Sequence, residues 1–143
     1  TGWMSLGISV DVTLAAAQSA DRVIAQVNPK MPRIPGHGFI HVNDVDVIVD
    51  AMLGTGLGGD VRGDYSAAIR AINACDTPTL AVDIPSGLCS DTGRVLGTAV
   101  QADLTVTFIG LKRGLFTGEA EANRLVAGTF PAVDQLLRPQ ISG

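Results

Sequence analysis

Three apolar runs end in residues able to do acid–base or ion chemistry. They read Val45-Asp-Val-Ile-Val-Asp-Ala-Met-Leu-Gly-Thr-Gly-Leu-Gly-Gly-Asp60, Leu80-Ala-Val-Asp-Ile-Pro-Ser-Gly87 and Ala102-Asp-Leu-Thr-Val-Thr-Phe-Ile-Gly-Leu-Lys112. Asp50 sits within an apolar run, where an unpaired acid is costly to bury. It is either an oxygen ligand for a cation, a contact to a sugar hydroxyl, or a cap on the next turn. Asp83 lies between Val82 and Ile84, just before Pro85-Ser-Gly87. A carboxylate at a buried strand end is expected to have a raised pKa, which suits general acid/base work; ribose recognition is the other reading. Ser86 falls three residues on. Lys112 is either a solvated loop charge or a crevice cation that holds a phosphate or offsets two nearby carboxylates.

Gly54-Thr-Gly-Leu-Gly-Gly59 fits G-x-G-x-x-G after a strand and before a helix. Bare backbone amides at such a turn can approach a phosphate. The bland reading is a tight turn with no ligand. No Gly-Lys-Ser/Thr follows, so it is not a P-loop. Cys89 reads as a small loop residue, and His37 and His41 as loop or strand-edge histidines rather than ligands. No Cys/His metal spacing exists.

These side chains converge only if the runs are parallel strands, because open α/β sheets place their ligand crevice at the strands' carboxyl ends. Strands are expected at 45–51, 80–84 and 104–109, with a short edge strand at 39–42. Residues 64–73 carry apolar positions 65, 68, 69 and 72, a helical spacing, with Asp64 as N-cap. The alternation in 8–14 predicts a strand. Ser19 is read as capping a helix through Val27 that ends at Pro29, and 132–137 as a short helix. Strands alternating with helices predict an α/β class: a three-layer, Rossmann-like, doubly wound and mostly parallel sheet.

Composition supports one domain. Of 143 residues, 46% are hydrophobic and only 4% aromatic, so the core must be aliphatic, as two-sided burial of parallel strands requires. A net charge of -4 excludes a basic nucleic-acid surface. No apolar run reaches the roughly 18 residues of a membrane span. Two cysteines in an α/β sequence point to reduced thiols and a cytoplasmic location.

The blocks Asp46-Val-Ile-Val-Asp-Ala-Met-Leu-Gly-Thr-Gly-Leu57, Ala81-Val-Asp-Ile-Pro-Ser-Gly-Leu88, Asp91-Thr-Gly93 and Ala102-Asp-Leu-Thr-Val-Thr-Phe108 with Leu111-Lys-Arg-Gly-Leu115 resemble the N-terminal epimerase domain of the NAD(P)H-hydrate repair enzymes. The resemblance spans about residues 44–118. It implies interconversion of R- and S-NADHX and NADPHX, the hydrated forms of the reduced nicotinamide cofactors. It implies a potassium ion held by oxygens of Asp50 and Ser86. It also implies substrate contacts from Gly54, Thr55, Gly56, Leu57, Gly58, Gly59, Asp60 and Asp83; beside it, the reading of the residues themselves makes Asp83 the candidate acid/base and Lys112 a further candidate substrate contact. Such domains often pair with a dehydratase domain or protein, and homodimers are common.

The chain departs from the pattern in two places. Cys89 stands where the family often has Asp. The family's opening strand and Asn-rich, Gly-Asp-Gly phosphate loop, which supplies an asparagine ligand for potassium, are not found, which puts catalysis by these 143 residues alone in question. Residues 1–130 are therefore expected to form a partial epimerase domain, and 131–143 a tail or linker. Two other readings stand beside it: a fragment of an NAD-dependent dehydrogenase with Asp83 on a ribose, or a non-catalytic nucleotide-binding or interaction module.

Overall fold

The computed structural model describes residues 2–8, 10–108 and 110–117, together with the backbone of 124–127. The expected helix at 132–137 and the tail at 131–143 lie outside the described residues. The chain runs β1 (Trp3–Ser5), α1 (Thr13–Ser19), β2 (Ile24–Gln26), β3 (Phe39–His41), β4 (Val47–Asp50), α2 (Gly63–Asn73), β5 (Thr79–Val82), β6 (Leu104–Thr107) and β7 (Arg124–Ala127). Five strands form one sheet in the order β2-β4-β5-β6-β7, all parallel. β1 and β3 form a separate antiparallel pair. The α/β class and parallel Rossmann-like layering are as the sequence pattern predicts.

The order of the five strands advances in one direction. Right-handed crossovers between such strands fall on one face of the sheet. Both helices contribute to the cluster on that face: Ile48 and Ala81 from the sheet pack with Ile69 and Ile72 of α2, and Ala17 of α1 leans on the same group. Along α2, Ser66, Ile69 and Ile72 are buried, a three-residue spacing that a helix turns inward. Burying each isoleucine contributes about 1.5–3 kcal/mol. A smaller cluster of Ile84, Leu88 and Leu115 lies beneath the loops that follow β5 and β6.

Three expectations are corrected. Residues 8–14 are not a strand: the described residues before Thr13 are turn or irregular, and the helix occupies Thr13–Ser19. Leu14, Ala15, Ala16, Ala17 and Gln18 are strong helix formers, and that preference prevails over the alternation before them. Ser19 closes this helix instead of opening the next, since its hydroxyl donates to the Ala15 carbonyl at 2.8 Å. The segment read as helix through Val27 holds strand β2, with Val23, Ala25 and Val27 turned inward and Ile24 and Gln26 outward. Asp64 does not cap α2 either. Arg62 holds the N-cap position, and Asp64, in the first turn, pairs with Lys30 at 2.9 Å.

Candidate functional site

β4, β5 and β6 are adjacent and parallel, so their carboxyl ends share one edge of the sheet. Asp50 ends β4, level with Ala81 of β5. Asp83 lies one residue past β5, its amide donating to the Val106 carbonyl at 2.7 Å. Lys112 follows β6 by five residues. The three expected side chains thus gather at one end of the sheet, but in two separate polar groups.

The first group is Asp50 with Ser86. Asp50 is fully buried, and Ser86 is 1% exposed. The Ser86 hydroxyl donates to Asp50 Oδ1 at 2.6 Å and its amide to Oδ2 at 2.8 Å. The Met52 amide reaches Oδ1 at 3.3 Å, so the capping role is partly realised as well. The hydroxyl also accepts the Leu53 amide at 2.9 Å, which ties the start of the glycine turn to the loop after β5. Every donor here is neutral, and no ion pair reaches Asp50 among the described residues. Burial pushes the Asp50 carboxyl above its ordinary range, with the hydrogen bonds from Ser86 and Met52 only partly countering it.

The second group is Asp83, Thr107 and Lys112. Lys112 forms an ion pair with Asp83. Thr107 Oγ1 donates to Asp83 Oδ1 at 3.2 Å, and the Phe108 amide does so at 3.3 Å. The raised pKa expected of Asp83 is overturned. Partial burial pushes the carboxyl up, but hydrogen bonds from Lys112, Phe108 and Thr107 and the lysine charge outweigh it and hold it below the ordinary range. The reason is a cation supplied 29 residues away in the chain. Lys112 therefore serves one carboxylate rather than two.

Asp83 has a backbone φ of +72°, and is the one non-glycine residue in the left-handed region among those described. Asp tolerates this better than most residues, yet the conformation still costs free energy. Gly87, four residues on, has φ +98°, and a Cβ there would sit 2.0 Å from the Thr98 carbonyl oxygen. That glycine is required by its surroundings. The turn at 54–59 differs: a Cβ on Gly54, Gly56, Gly58 or Gly59 would meet nothing within 4 Å, and none of the four has positive φ. No packing among the described residues demands glycine there. The turn does not abut a helix start as the motif anticipates, because Asp60, Val61 and Arg62 intervene before α2. Ser90 Oγ donates to the Thr55 carbonyl at 3.4 Å, bringing this turn beside the loop after β5.

Thr107 and the Phe108 amide are partners of Asp83 that sequence reasoning missed. Register was the available signal: Thr105 and Thr107 share the face of Ala81, and Thr107 is 2% exposed, a polar residue buried at a strand end. Cys75 and Cys89 are both free thiols, as expected. Hydrogen bonds from Thr92 and the amides of Asp91 and Thr92 draw the Cys89 thiol below its ordinary range. His41 lies on the edge strand β3, its ring 5.1 Å from that of Trp3 in an edge-on contact. One concavity lies at the opposite end of the strands, lined by Ile72, Asn73, Thr79 and Asp103 among others, and shares no residue with either polar group. No described helix is long and apolar enough to cross a membrane.

The family model for YjeF-related protein N-terminus matches residues 7–114. The chain is 56% identical over 108 residues to a bifunctional NAD(P)H-hydrate repair enzyme Nnr of Coxiella burnetii, covering 76% of this chain and 21% of that protein. It is 47% identical over 107 residues to a bifunctional NAD(P)H-hydrate repair enzyme of Leishmania infantum, covering 75% and 19%. With an NAD(P)H-hydrate epimerase of Limosilactobacillus fermentum it shares 48% over 87 residues, covering 59% and 42%. The chain thus spans about a fifth of the length of these bifunctional relatives and under half of the epimerase. With the match extending over most of its length, the chain belongs to the YjeF-related protein N-terminus family.

Proposed function

We propose that this domain epimerises R- and S-NADHX and NADPHX, the hydrated nicotinamide cofactors. The observation that carries the reading is Asp83, a left-handed, cation-paired carboxylate at the sheet's carboxyl edge, beside a glycine turn open to a ligand. The relatives named as NAD(P)H-hydrate epimerases and repair enzymes supply the substrate class.

The stereocentre is C6 of the reduced ring. Its hydroxyl leaves with a solvent proton as water, and the ring nitrogen lone pair forms an iminium. Water then adds to the other face and loses a proton, restoring the hydrate with inverted configuration. Asp83 rests as a carboxylate, so it faces the positive ring and accepts the proton of the returning water, which it passes to solvent. The residues of the turn, Gly54 to Asp60, contact the dinucleotide through their backbone.

Asp50 and Ser86 would hold a potassium ion. Two features of the donors fit: both are hard oxygens, and the buried carboxylate has only neutral partners among the described residues. The ion would supply the positive charge that Asp50 lacks and order the two loops. Pairing with a dehydratase domain or protein is supported by the bifunctional relatives. The free thiols suit a reducing compartment such as the cytoplasm.

The test is conversion of purified R-NADHX to the S epimer in potassium, followed by chromatography, for the wild type and Asp83→Asn. Conversion by the wild type and its loss in the variant are expected. If neither this chain nor a longer chain of the same protein that carries the family's phosphate loop converts the epimers, while NAD still binds, the dehydrogenase-like or non-catalytic readings move ahead.

A further inference from the structure

Among the described residues, every polar contact of the Asp83 side chain falls on one of its two oxygens. Thr107 Oγ1 at 3.2 Å, the Phe108 amide at 3.3 Å and Lys112 Nζ all reach Oδ1. Oδ2 has no partner among the described residues. The lysine side of the pair is equally one-sided. Besides Asp83, Lys112 Nζ reaches the Phe108 carbonyl at 2.9 Å and Thr107 Oγ1 at 3.2 Å. An ammonium has three protons to donate, and here three acceptors of the protein itself take them. The side chains are largely shielded, at 17% exposure for Lys112 and 29% for Asp83.

Resting on the epimerase reading, we propose that Lys112 is a positioning residue: it clamps Asp83 through Oδ1 and leaves Oδ2 as the oxygen that meets the substrate. It does not hold the substrate's phosphate, because no proton of the ammonium is left for one. The left-handed backbone at Asp83 fixes where the side chain starts, and the clamp fixes where it ends. Thr107 completes the arrangement, accepting from Lys112 and donating to Asp83. A carboxylate held at one oxygen loses little rotamer freedom when the other oxygen engages the ring, so orientation is settled before substrate arrives.

The experiment compares the wild type with Lys112→Met and Lys112→Arg. In epimerisation assays, Lys112→Met is expected to lower kcat about a hundredfold, the scale of a misaimed group, with KM within about threefold because uniform binding is untouched. Lys112→Arg, which keeps the charge, is expected to recover at least about a tenth of the lost kcat. A rise in KM alone, weakened further by salt, would make Lys112 a phosphate contact and overturn the proposal. A second readout needs no turnover: NMR couplings that report the Asp83 χ1 rotamer in wild type and Lys112→Met. One rotamer in the wild type and averaging in the variant are expected. An Asp83 rotamer unchanged by Lys112→Met overturns the proposal whether or not the protein epimerises, whereas inactivity of both this chain and a longer chain that carries the phosphate loop counts against the epimerase reading alone.

Discussion

Asp50 and Asp83 end neighbouring parallel strands of one sheet, yet they are held in opposite ways. Asp50 is fully buried and satisfied by neutral donors, and burial pushes its carboxyl up. Asp83 is partly open to solvent and clamped by a lysine, and against some desolvation its carboxyl is held down. A buried acid without a countercharge creates demand for a cation. On the proposed reading, an acid that already has one, and keeps an oxygen free, works on a substrate, and one sheet edge carries an ion-seeking position and a chemical position a strand apart.

The sharpest way to break this comparison is at the chemical position. Asp83→Asn is expected to lower kcat by about 10²–10⁴, the range for a lost acid–base group, while thermal unfolding stays near that of the wild type. If kcat stays within twofold of the wild type, the assignment to Asp83 fails. At the ion-seeking position, the wild type should unfold at a higher temperature in potassium chloride than in sodium chloride. The gain would be about 2.7 kcal/mol at a hundredfold excess over the dissociation constant, and Asp50→Asn should abolish the difference. Equal melting in the two salts would remove the ion from the account.

A smaller effect comes from Ser86→Ala. It deletes the 2.6 Å hydrogen bond to a buried carboxylate and should cost about 1–3 kcal/mol of stability in urea unfolding. The smallest effect is in pH dependence. The folded Asp83 carboxyl is lowered, so its contribution is present above the unfolded carboxylate range of about 4 and lost as pH falls through the folded value. The folded Asp50 carboxyl is raised. Without a bound cation its contribution is therefore present below that same range and lost as pH rises through the folded value. Urea unfolding over a pH series should show Asp83→Asn flattening the acid side and Asp50→Asn flattening the loss on the rising side. Identical profiles for the two variants would mean that the two carboxylates do not differ as described.

The central strands were legible because their runs of Val, Ile and Leu are buried on one face, half-buried over much of the other, and end in turn residues. Helix α2 was legible from its apolar spacing. Residues 8–29 were not. There Ile24, 57% exposed, is as apolar as its inward neighbours, so the two-residue period of β2 is masked. At the site, Asp50, Ser86 and the glycine turn could be picked out from residue type and place alone. The lowered carboxyl of Asp83 could not. It depends on Lys112 folding back across the end of β6, a long-range contact that no local pattern encodes.

The left-handed backbone at Asp83 also bears on the history of this position. Glycine would adopt that conformation without strain, relieving about 1 kcal/mol. An aspartate persists there only while selection for its carboxylate exceeds selection for stability. In a duplicated copy freed from the chemistry, position 83 is where drift toward glycine or asparagine should come early, with the sheet intact around it.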